Sequence, residues 1–177
     1  LPLIEVEAAQ AALGRYWDQF TAHYHALMAA KIGAANSDAR TLALLDELLA
    51  QMQQSSVDYT LLFRALGDIE RGSDLPVTKL RDRFIDRERF DHWLSDYRTW
   101  LRASARPDPE RRAAMLQANP KYILRNYLAQ IAIDKAGRGD YSEIDALLTV
   151  LAAPFDEHPG FEHYANPPPE WADALPV

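Results

Sequence analysis

From Leu13 to Leu151 the apolar residues return at steps of three and four, and no stretch alternates in the two-residue rhythm of a strand. A 3.6-residue period puts such residues on one face of a helix, so a chain with this pattern is confined to helix-on-helix packing. The expected fold is all-α, an irregular multi-helix bundle. Leu13, Tyr16, Trp17, Phe20, Tyr24 and Leu27 make the stripe of a long first helix. Asn36, Ser37 and Asp38 offer a cap for a second helix carrying Leu42, Leu45, Leu48, Leu49 and Met52. Ser55 or Ser56 is expected to open a short helix with Tyr59, Leu62, Phe63 and Leu66 inward. Gly67, Gly72 and Pro76 mark a turn-rich connection, and Phe90, Trp93, Leu94, Tyr97, Trp100 and Leu101 form an aromatic stripe on the next helix.

Asp108-Pro109 and Asn119-Pro120 read as two helix starts of one kind, a capping side chain followed by Pro at the first helical position. The second of these helices is expected to run from Pro120 to about Gly137, with Tyr122, Ile123, Tyr127, Leu128 and Ile131 on its apolar side. Asp140 and Glu143 have capping-box spacing for a last helix bearing Ile144, Leu147, Leu148 and Leu151. Beyond Pro154 the pattern stops, and Pro159, Gly160 and Pro167-Pro168-Pro169 point to an extended arm. The expected organisation is therefore one helical region, with a body over 1–153 and an acidic, Pro-rich arm over 154–177.

Charge narrows the function classes. The 177 residues carry a net charge of -7, which argues against general nucleic-acid binding. Ten basic and seven acidic residues lie between Lys79 and Arg112, whereas eight acids and no Lys or Arg follow Arg138. That acidic stretch is either a solvated tail or a face for a basic partner surface, another domain of the same protein included. With no Cys there is no disulfide, thiolate metal site or Cys nucleophile here. No apolar run is long enough to span a bilayer, so no membrane partner is expected. The opening Leu1-Pro2-Leu3-Ile4-Glu5 has no Met and no signal-peptide pattern, as expected of a fragment or a processed chain.

No catalytic constellation emerges. His23 and His25 lie on opposite sides of a helix, and His92 belongs to the polar face opposite Trp93. The stretch 155–164 mixes acids and imidazoles that offer donors to a divalent cation, but in no defined spacing; aromatic packing with exposed acids accounts for the same residues. Arg138-Gly139-Asp140 is an adhesion tripeptide in form, and equally a helix end followed by a cap. No phosphate-cradling glycine loop and no nucleophile elbow is present.

The segment 119–130, Asn-Pro-Lys-Tyr-Ile-Leu-Arg-Asn-Tyr-Leu-Ala-Gln, resembles a block of the selenoprotein O family. Satellites follow in order: Gly139-Asp140-Tyr141-Ser142, Pro154-Phe155-Asp156-Glu157 and Pro167-Pro168-Pro169-Glu170-Trp171, with Val57-Asp58-Tyr59-Thr60-Leu61 upstream. The resemblance implies a protein adenylyltransferase whose kinase-like region binds ATP with magnesium, in an inverted orientation, and transfers AMP to hydroxyl side chains of protein substrates. The family's Gly-rich loop, ATP-contacting Lys and Arg, and metal-binding Asp and Asn precede the matched region, and no position here corresponds to them. Its terminal redox-active Cys or selenocysteine has no counterpart before Val177 either. The expected role is thus the C-terminal helical region of such an enzyme. It would support a missing N-terminal kinase-like region, be inactive alone, bind no cofactor or metal itself, and reside in the bacterial cytoplasm. Arg125, Asn126, Phe155 and Trp171 are the candidate contacts with that region, an internal hydrogen-bonding or capping role being the other reading of Arg125 and Asn126. An independent helical module that recruits a protein through its aromatic stripes or acidic arm is the alternative.

Overall fold

The computed structural model describes residues 5–75 and 77–174. Among them are eight α-helices and no strand: α1 Val6–Lys31, α2 Ala39–Ser55, α3 Tyr59–Leu66, α4 Thr78–Arg81, α5 Arg87–Ala103, α6 Asp108–Ala118, α7 Asn126–Ala136 and α8 Ser142–Ala152. Two 3-10 turns, Glu162–Ala165 and Glu170–Ala174, lie in the C-terminal arm. None of these helices is long and apolar enough to cross a membrane. Packed pairs are α1 with α2 and α6, α2 with α5, α4 with α5, and α7 with α8.

Local chemistry sets most helix ends. Asp38 caps α2 by accepting from Thr41 N–H at 2.8 Å. Asp58, not Ser55 or Ser56, caps α3 through Leu61 N–H at 2.9 Å. Ser55 is still in α2, and Ser56 ends that helix in the left-handed region at φ 50°. Helix α1 stops at Gly33, whose φ of +87° lets Ala34 N–H reach Ala29 O and Gly33 N–H reach Ala30 O, both at 3.0 Å. That pair of bonds closes the orphan carbonyls of the last turn.

Three further expected helix starts are corrected. In α6 Pro107 occupies the cap position, so Asp108 lies in the first turn; its carboxylate accepts from Arg71 N–H and from the Arg111 side chain. The second concerns Asn119, which ends α6 rather than opening a helix, and 120–125 runs non-helical to α7. Its side-chain amide donates to Lys31 O and Met115 O, both at 2.9 Å, so tertiary partners outcompete a cap. Before α8, Asp140 accepts from Ser142 N–H at 3.0 Å, but Glu143 turns away to Lys135 and Tyr164, so no capping box closes.

Two apolar cores result. The larger joins the end of α1 with α2 through α6: Leu45, Leu48, Leu62, Phe63, Leu66, Phe90, Tyr97, Leu101 and Met115 are among its buried members. Phe84, Phe90, Trp93, Tyr97 and Trp100 stack in series at centroid spacings of 4.3, 5.7, 5.1 and 5.7 Å. Two polar tips of this aromatic series are bonded: Trp93 Nε1 donates to Leu44 O and Tyr97 Oη to Ile32 O, each at 2.9 Å. The smaller core gathers Tyr122, Tyr127, Leu128, Ala132, Leu147, Val150 and Tyr164. Tyr164 brings part of the arm onto α8, donating its hydroxyl to Glu143 at 2.8 Å. Burial, then the Glu143 carboxylate, push this phenol up to about 12. The arm, expected to be extended, instead folds back through its two 3-10 turns, with Phe161, Tyr164, Ala165 and Ala172 packed in the smaller core.

Candidate functional site

Three of the segments that carried the resemblance, 57–61, 119–125 and 154–157, lie apart in sequence and meet at one seam between the two cores. The connector 119–125 is its spine. Asn119 is buried, and its carbonyl accepts from Arg64 Nη1 at 2.9 Å. Lys31 reaches the same corner, donating to Ala118 O at 3.1 Å and lying 5.4 Å above the Tyr59 ring. Its partial burial lowers the Lys31 pKa. Further along, Lys121 N–H and Tyr122 N–H both donate to Pro154 O, at 2.7 and 3.1 Å. Tyr122 is buried with His158 edge-on at 5.2 Å, and His158 Nε2 lies 2.9 Å from Ala153 O.

Charges lock the seam. Glu157 accepts from Arg64 at 2.9 Å and from Lys121, which together hold its carboxyl below the usual range. Arg125 Nη1 donates to Asp58 Oδ2 at 2.7 Å, with both side chains mostly enclosed. Burial opposes ionisation of Asp58; the Arg125 guanidinium and the Leu61 N–H outweigh it, leaving the carboxyl below its ordinary 3.8. A depressed carboxylate pKa contributes stability above the unfolded value and loses it as the pH falls through the folded one. Asp58→Asn keeps a capping oxygen but deletes the ion pair. It is expected to cost about 1–2 kcal/mol at pH 7 and to flatten the acid limb of stability below pH 3.8. Urea unfolding at pH 7, 5 and 3 checks both effects.

The four candidate contact residues separate. Arg125 is engaged inside the chain by Asp58, and Phe155 is half-buried with its carbonyl 3.5 Å from Arg64 Nη2. Asn126 is exposed in the first turn of α7. Trp171 is 49% exposed and stands edge-on to Tyr127 at 6.0 Å.

An exposed apolar face lies elsewhere, on α1. The α1 stripe, which periodicity alone would put in a core, faces outward: Leu13, Tyr16, Trp17, Phe20, Tyr24 and Leu27 are 45–67% exposed. They share an arc of about 100° at 3.6 residues per turn. Only the last turn, at Met28 and Ala29, is buried. The rings fill the face by packing on one another, Tyr16, Phe20 and Tyr24 stacking at 6.1 Å steps with Trp17 edge-on to Phe20 at 5.9 Å. The exposed ring of Tyr59, whose hydroxyl is 3.3 Å from Met28 Sδ, stands where α1 enters the body. The amphipathic signal was visible in the sequence; what it packs against was not.

No group of three or more His, Asp or Glu among the described residues is arranged to hold a metal ion. In a hollow lined by Arg81, Arg98 and Arg102, these guanidinium groups donate to Asp91, Leu75 O and Asp74.

The family model for protein adenylyltransferase SelO matches residues 1–152. The chain belongs to the SelO family. It is 48% identical over 177 residues to the protein nucleotidyltransferase YdiU of Pseudomonas fluorescens strain Pf0-1, covering 99% of this chain and 36% of that protein. Proteins of the same name from Thioalkalivibrio sulfidiphilus and Ralstonia nicotianae are 49% and 45% identical, over 97% of this chain and 35% and 33% of theirs. The chain thus spans about a third of the length of these relatives.

Proposed function

We propose that the chain is the C-terminal helical region of a protein adenylyltransferase, supporting a kinase-like catalytic region and inactive by itself. The whole enzyme transfers AMP from ATP to hydroxyl side chains of protein substrates, and its ATP and magnesium sites lie in the kinase-like region. The observation that carries this reading is the seam. Asp58, Asn119, Lys121, Tyr122, Arg125 and Glu157, drawn from the blocks that resemble the family, are spent on each other and on backbone groups. Nucleotidyl transfer needs positioned charge around metal-bound phosphates. Residues consumed in holding two cores together supply rigidity instead.

Incubating the chain with labelled ATP, magnesium and a protein acceptor is expected to leave the acceptor unlabelled, while the polypeptide of the whole reading frame labels it. Stable transfer by the chain alone would overturn the reading. The outward face of α1 also favours a second reading, a helical module that recruits another protein. A reading frame without a kinase-like region would decide for that one.

A further inference from the structure

We infer that the exposed aromatic face of α1 is an intramolecular docking surface, covered in the whole protein by the part of the same polypeptide that lies outside these 177 residues. The inference rests on the proposed function and makes it specific: α1 is the element through which the helical region holds its catalytic partner.

Three observations lead there. The first is size. Leu13, Tyr16, Trp17, Phe20, Tyr24 and Leu27 present an unbroken stripe along about 22 Å of helix at 1.5 Å per residue. The four half-exposed aromatics alone offer roughly 400 Å², within the range where a patch on a monomer marks an interaction site. Second, the helix has little else to hold it. Glu5 makes no side-chain cap bond, and no residue of α1 before Met28 is buried. A helix on that footing draws its stability from tertiary packing of its apolar face. The third observation chooses the occupant. In the relatives matched at 45–49% identity, about two thirds of the polypeptide lies outside the matched part. A covalently linked surface acts at millimolar effective concentration, which a second copy reaches only when the chain itself is that concentrated. Opposite-sign steering plays little part, since the charged residues between Leu13 and Leu27, Arg15 and Asp18, are of opposite sign and fall on the side of the helix away from the stripe.

Amide hydrogen exchange, read on 13–27, tests this. In the polypeptide of the whole reading frame these amides are expected to exchange at least tenfold more slowly than in the 177-residue chain. The double variant Trp17→Ser/Phe20→Ser is expected to abolish that difference. It should leave the protection of α2 and α5 unchanged, because neither side chain belongs to the core. Equal exchange of 13–27 in the two polypeptides overturns the inference. So does protection that appears in the isolated chain and rises with its concentration, which assigns the face to a second copy. The readout is separate from catalysis: a protected α1 in a polypeptide that transfers no AMP leaves the docking standing and removes the adenylyltransferase reading, and the reverse result does the opposite.

Discussion

Arg111→Ala is expected to lower the stability of the chain by about 3–5 kcal/mol, the cost of breaking a buried charged network. For a chain of this size that is a fall of about 10 °C in Tm. Arg111 is 1% exposed, in the middle of the larger core. Its guanidinium donates to Ile69 O; Nη2 and Nε donate to Asp108 Oδ1 at 3.2 and 3.3 Å, and Nη1 lies 3.5 Å from Tyr97 Oη and 3.1 Å from Met115 Sδ. Truncation strands a buried carbonyl and a partly buried carboxylate, and leaves a cavity beside Gly33. Burial holds the Tyr97 phenol well above its ordinary range, with the nearby Arg111 charge opposing, so the ring remains a neutral donor to Ile32 O. Arg111→Lys keeps a charge but has one donor group where the fork serves several acceptors, and an intermediate loss is expected. Thermal and urea unfolding of the three proteins gives the order directly.

Gly33→Ala is expected to cost about 2–5 kcal/mol, from two sources that the structure separates. An L-residue at φ +87° is strained, by about 1–2 kcal/mol. The added Cβ would also stand 2.7 Å from Arg111 Cγ and 3.0 Å from Met115 Sδ. Overpacking of this kind costs about 1–3 kcal/mol. Arg111 has no freedom to withdraw, because its head group is tied to Ile69 and Asp108. The two sites are therefore coupled. In Gly33→Ala/Arg111→Ala the clash with Arg111 disappears, and the double variant should be less destabilised than the single losses added together. Additivity in a double-mutant cycle would show that only the backbone strain matters.

Much of this architecture was legible before any coordinates. The 3.6-residue period gave an all-helical fold, the α5 stripe from Phe90 to Leu101 is buried, and Asp38 caps α2 as its place before an apolar run implies. The block 119–130 pointed to the family, and the family model together with relatives matched along nearly all of this chain bears that out. The Asn119-Pro120 pair misled, because cap preference is a local average. Asn119 finds Lys31 O across 88 residues of chain, and the connector then carries Tyr122 into the second core. Arg111 was one of ten basic residues in a charged stretch, with nothing in its neighbours to mark it as the buried one.

By itself the sequence determined the helical class, the membership of the SelO family and the existence of two aromatic stripes at helical spacing, one on α1 and one on α5. Only the tertiary structure decided their different fates. Periodicity records that a helix has an apolar face, since that depends on spacing along one chain segment. Whether the face is covered depends on other segments arriving against it. α5 meets α2 and α4 within this chain, whereas α1 meets α2 and α6 and is buried only at its last turn. Its first turns, about six at 3.6 residues per turn, leave the aromatic stripe outward.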